Sequence, residues 1–486
     1  MLNDKIVGSL NRRAITSYPV FMIFSLDEER VDADKQGGDG LMTVKSGDRD
    51  AAAQPVYSNT YRGYVLGVLV LGYIFNTIDR SVLGVLLQPI KEQFLFTDTQ
   101  LGLLGGIAFA IFYAFMGVPM ARLADAWSRV NVLTIAVGLW SIATALCGAA
   151  QGFFSLLAGR IGTAVGESGG TPPSHSLISD YFPIKIRGTA LAIYAMAVPV
   201  GTALGNFASG WLNVLVGWRW TFVLVGLPGL AVALLLRLTV QEPPRGYSDS
   251  VGGVIRKHQT PGMWEACRYL CTRRSFMHMS LAAALHAVVW YAGSTWNASF
   301  FMRSHGMNTA EAGSYLAIFA LIGALGTFAG GFLSDRLSEK KGDKRWYMWV
   351  PGIACFVMVP FQFLSYLAPD MRVVIPSFTV MVILAAMFFG PSFAVAQALA
   401  TVRMRAVSTS ILLFVQTLIG LGLGPLFAGM ISDHLQPTVG APSLSYGLVI
   451  VGLANIWAAV HYYLGGRSFR EDLAMTESMN RAAEGG

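Results

Sequence analysis

Four residues, Asp79, Arg80, Arg160 and Glu167, are the main ionisable groups well inside long, mostly apolar stretches. The first two interrupt YVLGVLVLGYIFNTIDRSVLGVLLQPI, residues 64–90, and the others belong to RIGTAVGESGGTPPSHSLISDYFP. A charged group at mid-bilayer costs roughly 2.5–3.5 kcal/mol on insertion scales, so such groups face a cavity and find partners. Two carboxylates among two guanidiniums can do two kinds of chemistry. They can carry a proton, and they can recognise an anion. Burial raises a carboxyl pKa and a neighbouring Arg lowers it. A carboxylate that changes its Arg partner therefore loads and releases a proton. The structural alternative is a static ion-pair network holding helices together, although buried pairs often stabilise poorly against apolar replacements.

Helical geometry assigns these groups to surfaces. Arg160 and Glu167 are seven residues apart and share a helix face within ~20°. With Thr163, Thr171 and Ser174 they form a polar stripe, and Pro172 and Pro173 are expected to bend the helix at its lower end. Asp79 and Arg80 point about 100° apart. Arg80 shares its face with Tyr73, Asn76, Thr77 and Gly84, whereas Asp79 shares one with Gly72, Phe75, Val82 and Leu83. Arg80 thus looks toward the wetter side and Asp79 toward apolar surroundings. At ~1.5 Å per residue, the pair falls at a depth between Arg160 and Glu167.

The elements that must hold these groups are membrane helices. The chain is 54% hydrophobic and 13% charged, against roughly 25% charged residues in soluble domains. Apolar runs of spanning length begin near Tyr64, Gln100, Val130, Phe153, Gly188, Trp218, Phe276, Ala310, Trp346, Val373, Val407 and Ser445. Of the 35 Lys and Arg, only Lys91, Arg219, Arg303 and Arg372 fall on one side of this arrangement. Arg80 and Arg160 lie within spans, and the rest fall on the other side. This asymmetry puts both termini in the cytoplasm. It makes the net charge of +7 a topology signal rather than a nucleic-acid footprint. The four cysteines are scattered and read as reduced thiols without a zinc set. Residues 1–58 are polar and read as a mobile tail.

The chain also repeats itself. ARLADAWSRV after the second span and GFLSDRLSEK after the eighth place Asp125 and Asp335 210 residues apart. Pro173-Ser174 with Lys185-Ile186-Arg187 recurs 218 residues later as Pro391-Ser392 with Arg403-Met404-Arg405. The reading is an all-α membrane protein of two pseudo-symmetric six-helix bundles, 59–240 and 275–467. A cytoplasmic linker, 241–274, joins them, and a C-terminal tail, 468–486, follows. The offsets map Asp79 and Arg80 to Val289 and Trp290, and Arg160 and Glu167 to Phe378 and Ala385. The second half therefore lacks all four charges. It offers HAVVWYAGSTWNASFF instead, with Trp290, Tyr291, Ser294 and Asn297. One wall is ionic and the other aromatic, which suits a ligand with a charged head and a greasy tail.

Internal repetition of this kind marks secondary transporters. The between-helix loops resemble those of the major facilitator superfamily over about residues 60–467, although Ala126 and Ser128 stand where that signature has a basic residue and Gly. NTIDR, RIGTAVGESGGTPPSHSLISDYFP, GWRWTF and EPPRG together resemble the spinster family, in a bacterial homologue. The resemblance implies a monomeric carrier in the bacterial inner membrane. It implies proton-coupled, alternating-access transport or antiport of lysophospholipid or sphingosine-1-phosphate-like lipids. On this reading Asp79, Glu167 and Arg160 couple protons. Arg80, Asn76, Thr163, Thr171, Trp290, Tyr291, Ser294 and Asn297 bind substrate. Asp125, Arg129, Asp335 and Arg336 form a cytoplasmic gate. No cofactor or metal is expected. His175 and His286 read as packing histidines, and Gly201, Gly205 and Gly210 as close-packing positions or an exchanger-type pattern. No phosphate loop, zinc-protease pattern or nucleophile elbow occurs. A carrier for soluble organic anions or sugars, or a transporter-like receptor, remains as a rival.

Overall fold

The structure, a computed structural model, describes residues 57–250 and 263–484. Most of the expected N-terminal tail and the middle of the expected linker lie outside the described residues. Within them all regular structure is helical. Ten segments are long and apolar enough to cross a membrane. One of these, 184–239, is two crossings, because Gly217 turns the chain at φ 78°, a left-handed conformation that glycine adopts without strain. A twelfth crossing, 153–181, consists of Phe153–Ser168 and Thr171–Tyr181. It is broken at Gly169–Gly170, with Pro172 and Pro173 opening the second piece. Pro fits a first turn, where its missing N–H is not needed.

The spans are α1 (Asn59–Phe94), α2 (Asp98–Ala126), α3 (Arg129–Cys147), α4 (153–181), α5 (184–216) and α6 (218–239), followed by α7 (Arg274–His305), α8 (Thr309–Lys341), α9 (Trp346–Leu367), α10 (Met371–Ala398), α11 (Val402–Val439) and α12 (Ser443–Arg481). The face on which α1 begins is called near, and the opposite face far. Twelve crossings return the chain to the near face.

Short polar signals set the helix starts. Thr97 and Gln100 form a capping box at α2, and Asn308 and Glu311 form one at α8. Each satisfies N–H groups that the first turn leaves unpaired. On α5, a Cβ at Gly201 would stand 2.8 Å from the Ile74 carbonyl oxygen, and one at Gly205 would stand 2.9 Å from Ile78 Cα. These glycines bring α5 against the α1 backbone just before Asp79 and Arg80, so they position the site.

Two boundaries differ from the sequence reading. The helix expected to end at 467 continues to Glu484. Phe469 and Thr476 are buried there, and Thr476 donates to the Leu399 carbonyl (3.3 Å). The apolar face of 468–484 therefore packs against the bundle. Part of the linker, Met263–Cys271, is also helical, with Ala266 and Leu270 buried in the same apolar cluster as Phe276 and Phe469.

Candidate functional site

The four intramembrane charges meet inside the first half. Arg80 Nε donates to Glu167 Oε2 at 2.5 Å. The Glu167 side chain is buried, while that of Arg80 is 33% exposed. Two rings of α2 hold the guanidinium from the side: Tyr113 at 4.6 Å and Phe109 at 5.6 Å. Arg160 stacks on Phe109 as well, at 4.9 Å. Such contacts are worth about 0.5–2 kcal/mol, more as water is excluded. They hold both cations without consuming their N–H donors.

Asp79 turns away from its neighbour, as the 100° helical step requires. It is buried, and the Thr144 hydroxyl of α3 lies 2.5 Å from both of its oxygens. Thr144 in turn lies 3.3 Å from the Thr163 hydroxyl. A hydroxyl both donates and accepts, so it can serve either protonation state of the carboxyl.

Three polar ends in this cluster lack partners. Arg160 is buried, yet its Nε and Nη1 have no hydrogen bond, and neither has Glu167 Oε1. Buried polar atoms are nearly always satisfied, and an orphaned charged one is costly. The network is therefore incomplete as it stands. Glu167 has its ion pair with Arg80, with Asn76 and Arg160 also interacting with it, and Arg160 itself has no ion pair among the described residues. Next to them, Asn76 and Thr171 line a narrow cavity with Tyr73, Ser174 and Tyr194 at the break in α4.

The second half supplies a different wall. Trp290 meets Phe389 edge-on (5.5 Å). Tyr291 packs on the cluster of Phe109, Ala164 and Leu421, and thus reaches the ring that carries both arginines. Ser294 is exposed. Asn297 is tied into its own half by the Tyr366 hydroxyl (2.9 Å). His286 is buried, with Nδ1 2.8 Å from Asn455 Oδ1 and Nε2 2.8 Å from the Ala385 carbonyl; a neutral ring donates to one of these two acceptors, and the contacts tie α7 to α12 and α10.

The four gate residues are not brought together. Asp125 is 81% exposed and meets Arg245 of its own half at 3.7 Å. Asp335 accepts from the Tyr347 hydroxyl (2.5 Å), and Arg336 is exposed. Arg129 is a buried hub of the first half. It donates to Asp180, to Glu242 (2.6 Å), to Ser176 (3.0 Å) and to the Pro243 carbonyl (2.7 Å). Burial opposes the charge on Glu242, but the Val130 N–H and the Arg129 and Ser128 side chains outweigh it and hold its pKa below the usual value.

The bonds that join the halves cluster on the far face, at residues the sequence reading passed over. Buried Asp98 takes both Arg303 nitrogens (2.7 and 2.8 Å), Lys91 (2.5 Å) and Ser432 (2.6 Å). Asp433 of α11 accepts the backbone N–H of Asp98 (2.9 Å) and of Thr99 (2.7 Å), and so caps α2 from the other half. Lys91 and Arg303 were visible as lone cations on the sparsely charged side. Opposed aspartates at the same level were the available signal. Below this lock, Gly84, Gly102 and Gly106 bring α1 and α2 against the backbones of α7 and α11. Among the described residues the hydrogen bonds and ion pairs between the halves thus lie toward the far face, which is closed.

A family model described as Major Facilitator Superfamily matches residues 69–425. The chain is 31% identical to an MFS-type efflux pump of Mycolicibacterium smegmatis, covering 84% of this chain and 93% of that protein. It is 26% identical to Protein spinster homolog 1 of Xenopus tropicalis, over 87% of this chain and 83% of that one. Among solved structures it is similar to a bacterial homologue of the human lysosomal transporter Spinster, in an inward-facing and unoccupied conformation. The TM-score is 0.79 at 35% identity, covering 86% of this chain and 99% of the other.

Proposed function

The chain belongs to the major facilitator superfamily and to its spinster-type transporters, and from that premise we propose that it is a proton-coupled carrier of amphipathic anionic lipids such as lysophospholipids. The observation that carries this reading is the shared guanidinium. Arg80 binds Glu167 while remaining partly open to the cavity, and Arg160 stands by unpaired. An anionic head-group and the Glu167 carboxylate compete for Arg80. A proton on Glu167 releases Arg80 to the head-group, and a head-group on Arg80 favours the proton on Glu167. By linkage the two effects are equal. Arg160 is the alternative partner when Glu167 is ionised and Arg80 is occupied. Asp79, served by Thr144, is a second proton carrier on the side away from the cavity.

The tail of the cargo is expected against Trp290 and Tyr291. Large apolar side chains exposed on α8 beside the inter-half seam, Leu325, Phe328 and Phe332, support lateral entry from the bilayer, whereas Phe115 and Phe414 meet edge-on across the other seam. The near face carries most basic residues and is taken as cytoplasmic, in a bacterial inner membrane. The transporter is taken to work as a monomer. Asp125, Arg129, Asp335 and Arg336 belong to the near-face gate, which forms only when that face closes.

The test is proton uptake by the purified protein on adding lysolipid, measured in weakly buffered detergent. Lysolipid should draw protons from solution, and Glu167→Gln should abolish the signal. Arg80→Ala should weaken anionic lysolipids more than neutral analogues. Equal losses, or competition by sugar phosphates as strong as by lysolipid, would favour a carrier of soluble anions.

A further inference from the structure

A second apolar site lies on the outside of the other half, away from the cargo cavity. α9 and α12 enclose a cavity of about 400 Å³ lined by Trp346, Trp349, Gly352, Ile353, Phe356, Ala459 and Tyr463. Ile353, Phe356 and Tyr463 are exposed, so the groove opens toward the bilayer. From Trp346 to Phe356 it runs about 15 Å along α9, the depth of one leaflet of a ~30 Å core.

Its near-face mouth is basic and is built onto its aromatic wall. The Arg345 guanidinium lies 4.5 Å over the Trp349 ring. Arg345 and Arg470 both bind Asp343 Oδ2, each at 2.8 Å. Tyr463 of the groove, Arg467 and Arg470 follow one another at four and three residues, so they share a helix face. Arg467 is exposed and has no ion pair among the described residues. Lys344 binds Glu477 (3.2 Å). Around the mouth, Lys344, Arg345, Arg467 and Arg470 outnumber Asp343 and Glu477, so positive charge remains above a greasy slot.

We propose that this groove binds one anionic phospholipid of the near leaflet, with an acyl chain between α9 and α12 and the phosphodiester against Arg467 and Arg470. This lipid is a resident and not cargo. The groove's residues belong to the second half alone, and none of them joins the Arg80–Glu167 cluster. Trp346, Trp349 and Tyr463 give it the interfacial aromatic rim that head-group level favours; Gly352, where a Cβ would stand 2.9 Å from Tyr462 Cβ, lets α9 and α12 meet as its floor, and the small Ala459 keeps that floor low.

The test uses the full-length chain in detergent, titrated with phosphatidylglycerol or phosphatidylcholine and read by native mass spectrometry. Phosphatidylglycerol should bind more tightly. Arg467→Ala with Arg470→Ala should weaken it about 30-fold, at one surface increment per arginine, and leave phosphatidylcholine unchanged. Arg467→Ala alone, at an exposed unpaired side chain, should weaken it about fivefold, which guards against misfolding of the double variant. Ala459→Trp, which fills the slot, should expel both lipids. Equal binding of the two lipids, or full retention in Ala459→Trp, would overturn the proposal. Displacement of phosphatidylglycerol by excess lysolipid would overturn it too, by placing the lipid on the cargo path.

Discussion

The two halves share a fold but bury different chemistry at matched positions. In the first, Glu167 binds Arg80 and leaves an oxygen unpaired, while Arg160 has two unpaired nitrogens. In the second, the position matching Glu167 is Ala385, whose carbonyl accepts His286, and that matching Arg160 is Phe378, packed among Phe301 and Phe319. Around His286, Asn455 also reaches Gln362 (3.1 Å). One network is ionic with unpaired ends, and the other has no carboxylate or guanidinium and a contact at each His286 nitrogen. Unpaired ionic ends leave the first network a second arrangement, whereas His286 ties α7 to α10 and α12 through both ring nitrogens. On the proposed reading the first half moves charge and the second supplies an apolar wall.

The strongest way to break this contrast is to remove ionisation from the first half. Glu167→Gln keeps the shape and the contact with Arg80 but cannot bind a proton. In liposomes under an imposed pH gradient, lysolipid transport should fall at least ~100-fold, the lower end of what proton-transfer groups contribute. Retention of gradient-driven transport would remove Glu167 from the coupling and return the cluster to a static role.

Much of that contrast was legible in the sequence, because a charge in an apolar run stands out and helical arithmetic needs no tertiary information. The divergence of Asp79 from Arg80, the break near Pro172 and the absence of charge at Val289 and Trp290 all followed from spacing. The partners did not. Thr144 and Tyr113 are ordinary residues on other helices, and nothing local marks them as neighbours of Asp79 and Arg80. The far-face lock was hidden for the same reason, since Asp98 and Asp433 meet only through the register between halves. The helix beyond 467 was missed because its hydropathy drops as soon as it leaves the membrane, although Phe469 and Thr476 still pack.

Next in size is the near-face hub of the first half. Arg129 is buried and bonds Asp180, Glu242, Ser176 and the Pro243 carbonyl. Arg129→Ala leaves Asp180 and Glu242 facing each other without their cation. Breaking a buried pair costs about 3–5 kcal/mol, visible as a fall in thermal stability in detergent. Arg129→Lys should recover little, because a point charge cannot reproduce the fork. Smaller again is His286→Ala, which leaves Asn455 and the Ala385 carbonyl short of a partner and should cost about 1–3 kcal/mol. If the second half is only a wall, the number of protons moved per lipid should stay as in the unaltered protein. A changed ratio would place a titrating group in the second half and end the contrast.

The smallest effect sharpens the same comparison at the second half's own near-face hub, where Asp343 sits between Arg345 and Arg470. Hydrogen bonds from Arg345 exceed the opposing effect of burial and, with those from Arg470, bring the Asp343 pKa to about 2, from 3.8. Both arginines are more exposed than Arg129, so the cost of Asp343→Asn should be about 1 kcal/mol or less, as for surface pairs. The folded pKa lies below the unfolded one. The stabilisation is therefore complete above about pH 5 and disappears as pH falls through the interval from about 4 to 2. The difference in melting temperature between the unaltered protein and Asp343→Asn should thus be constant at pH 5–7 and begin to narrow below pH 4. A constant difference down to pH 3 would mean that Asp343 acts through packing alone. A loss as large as that of Arg129→Ala would mean the two hubs are equivalent and that the halves differ only at mid-membrane.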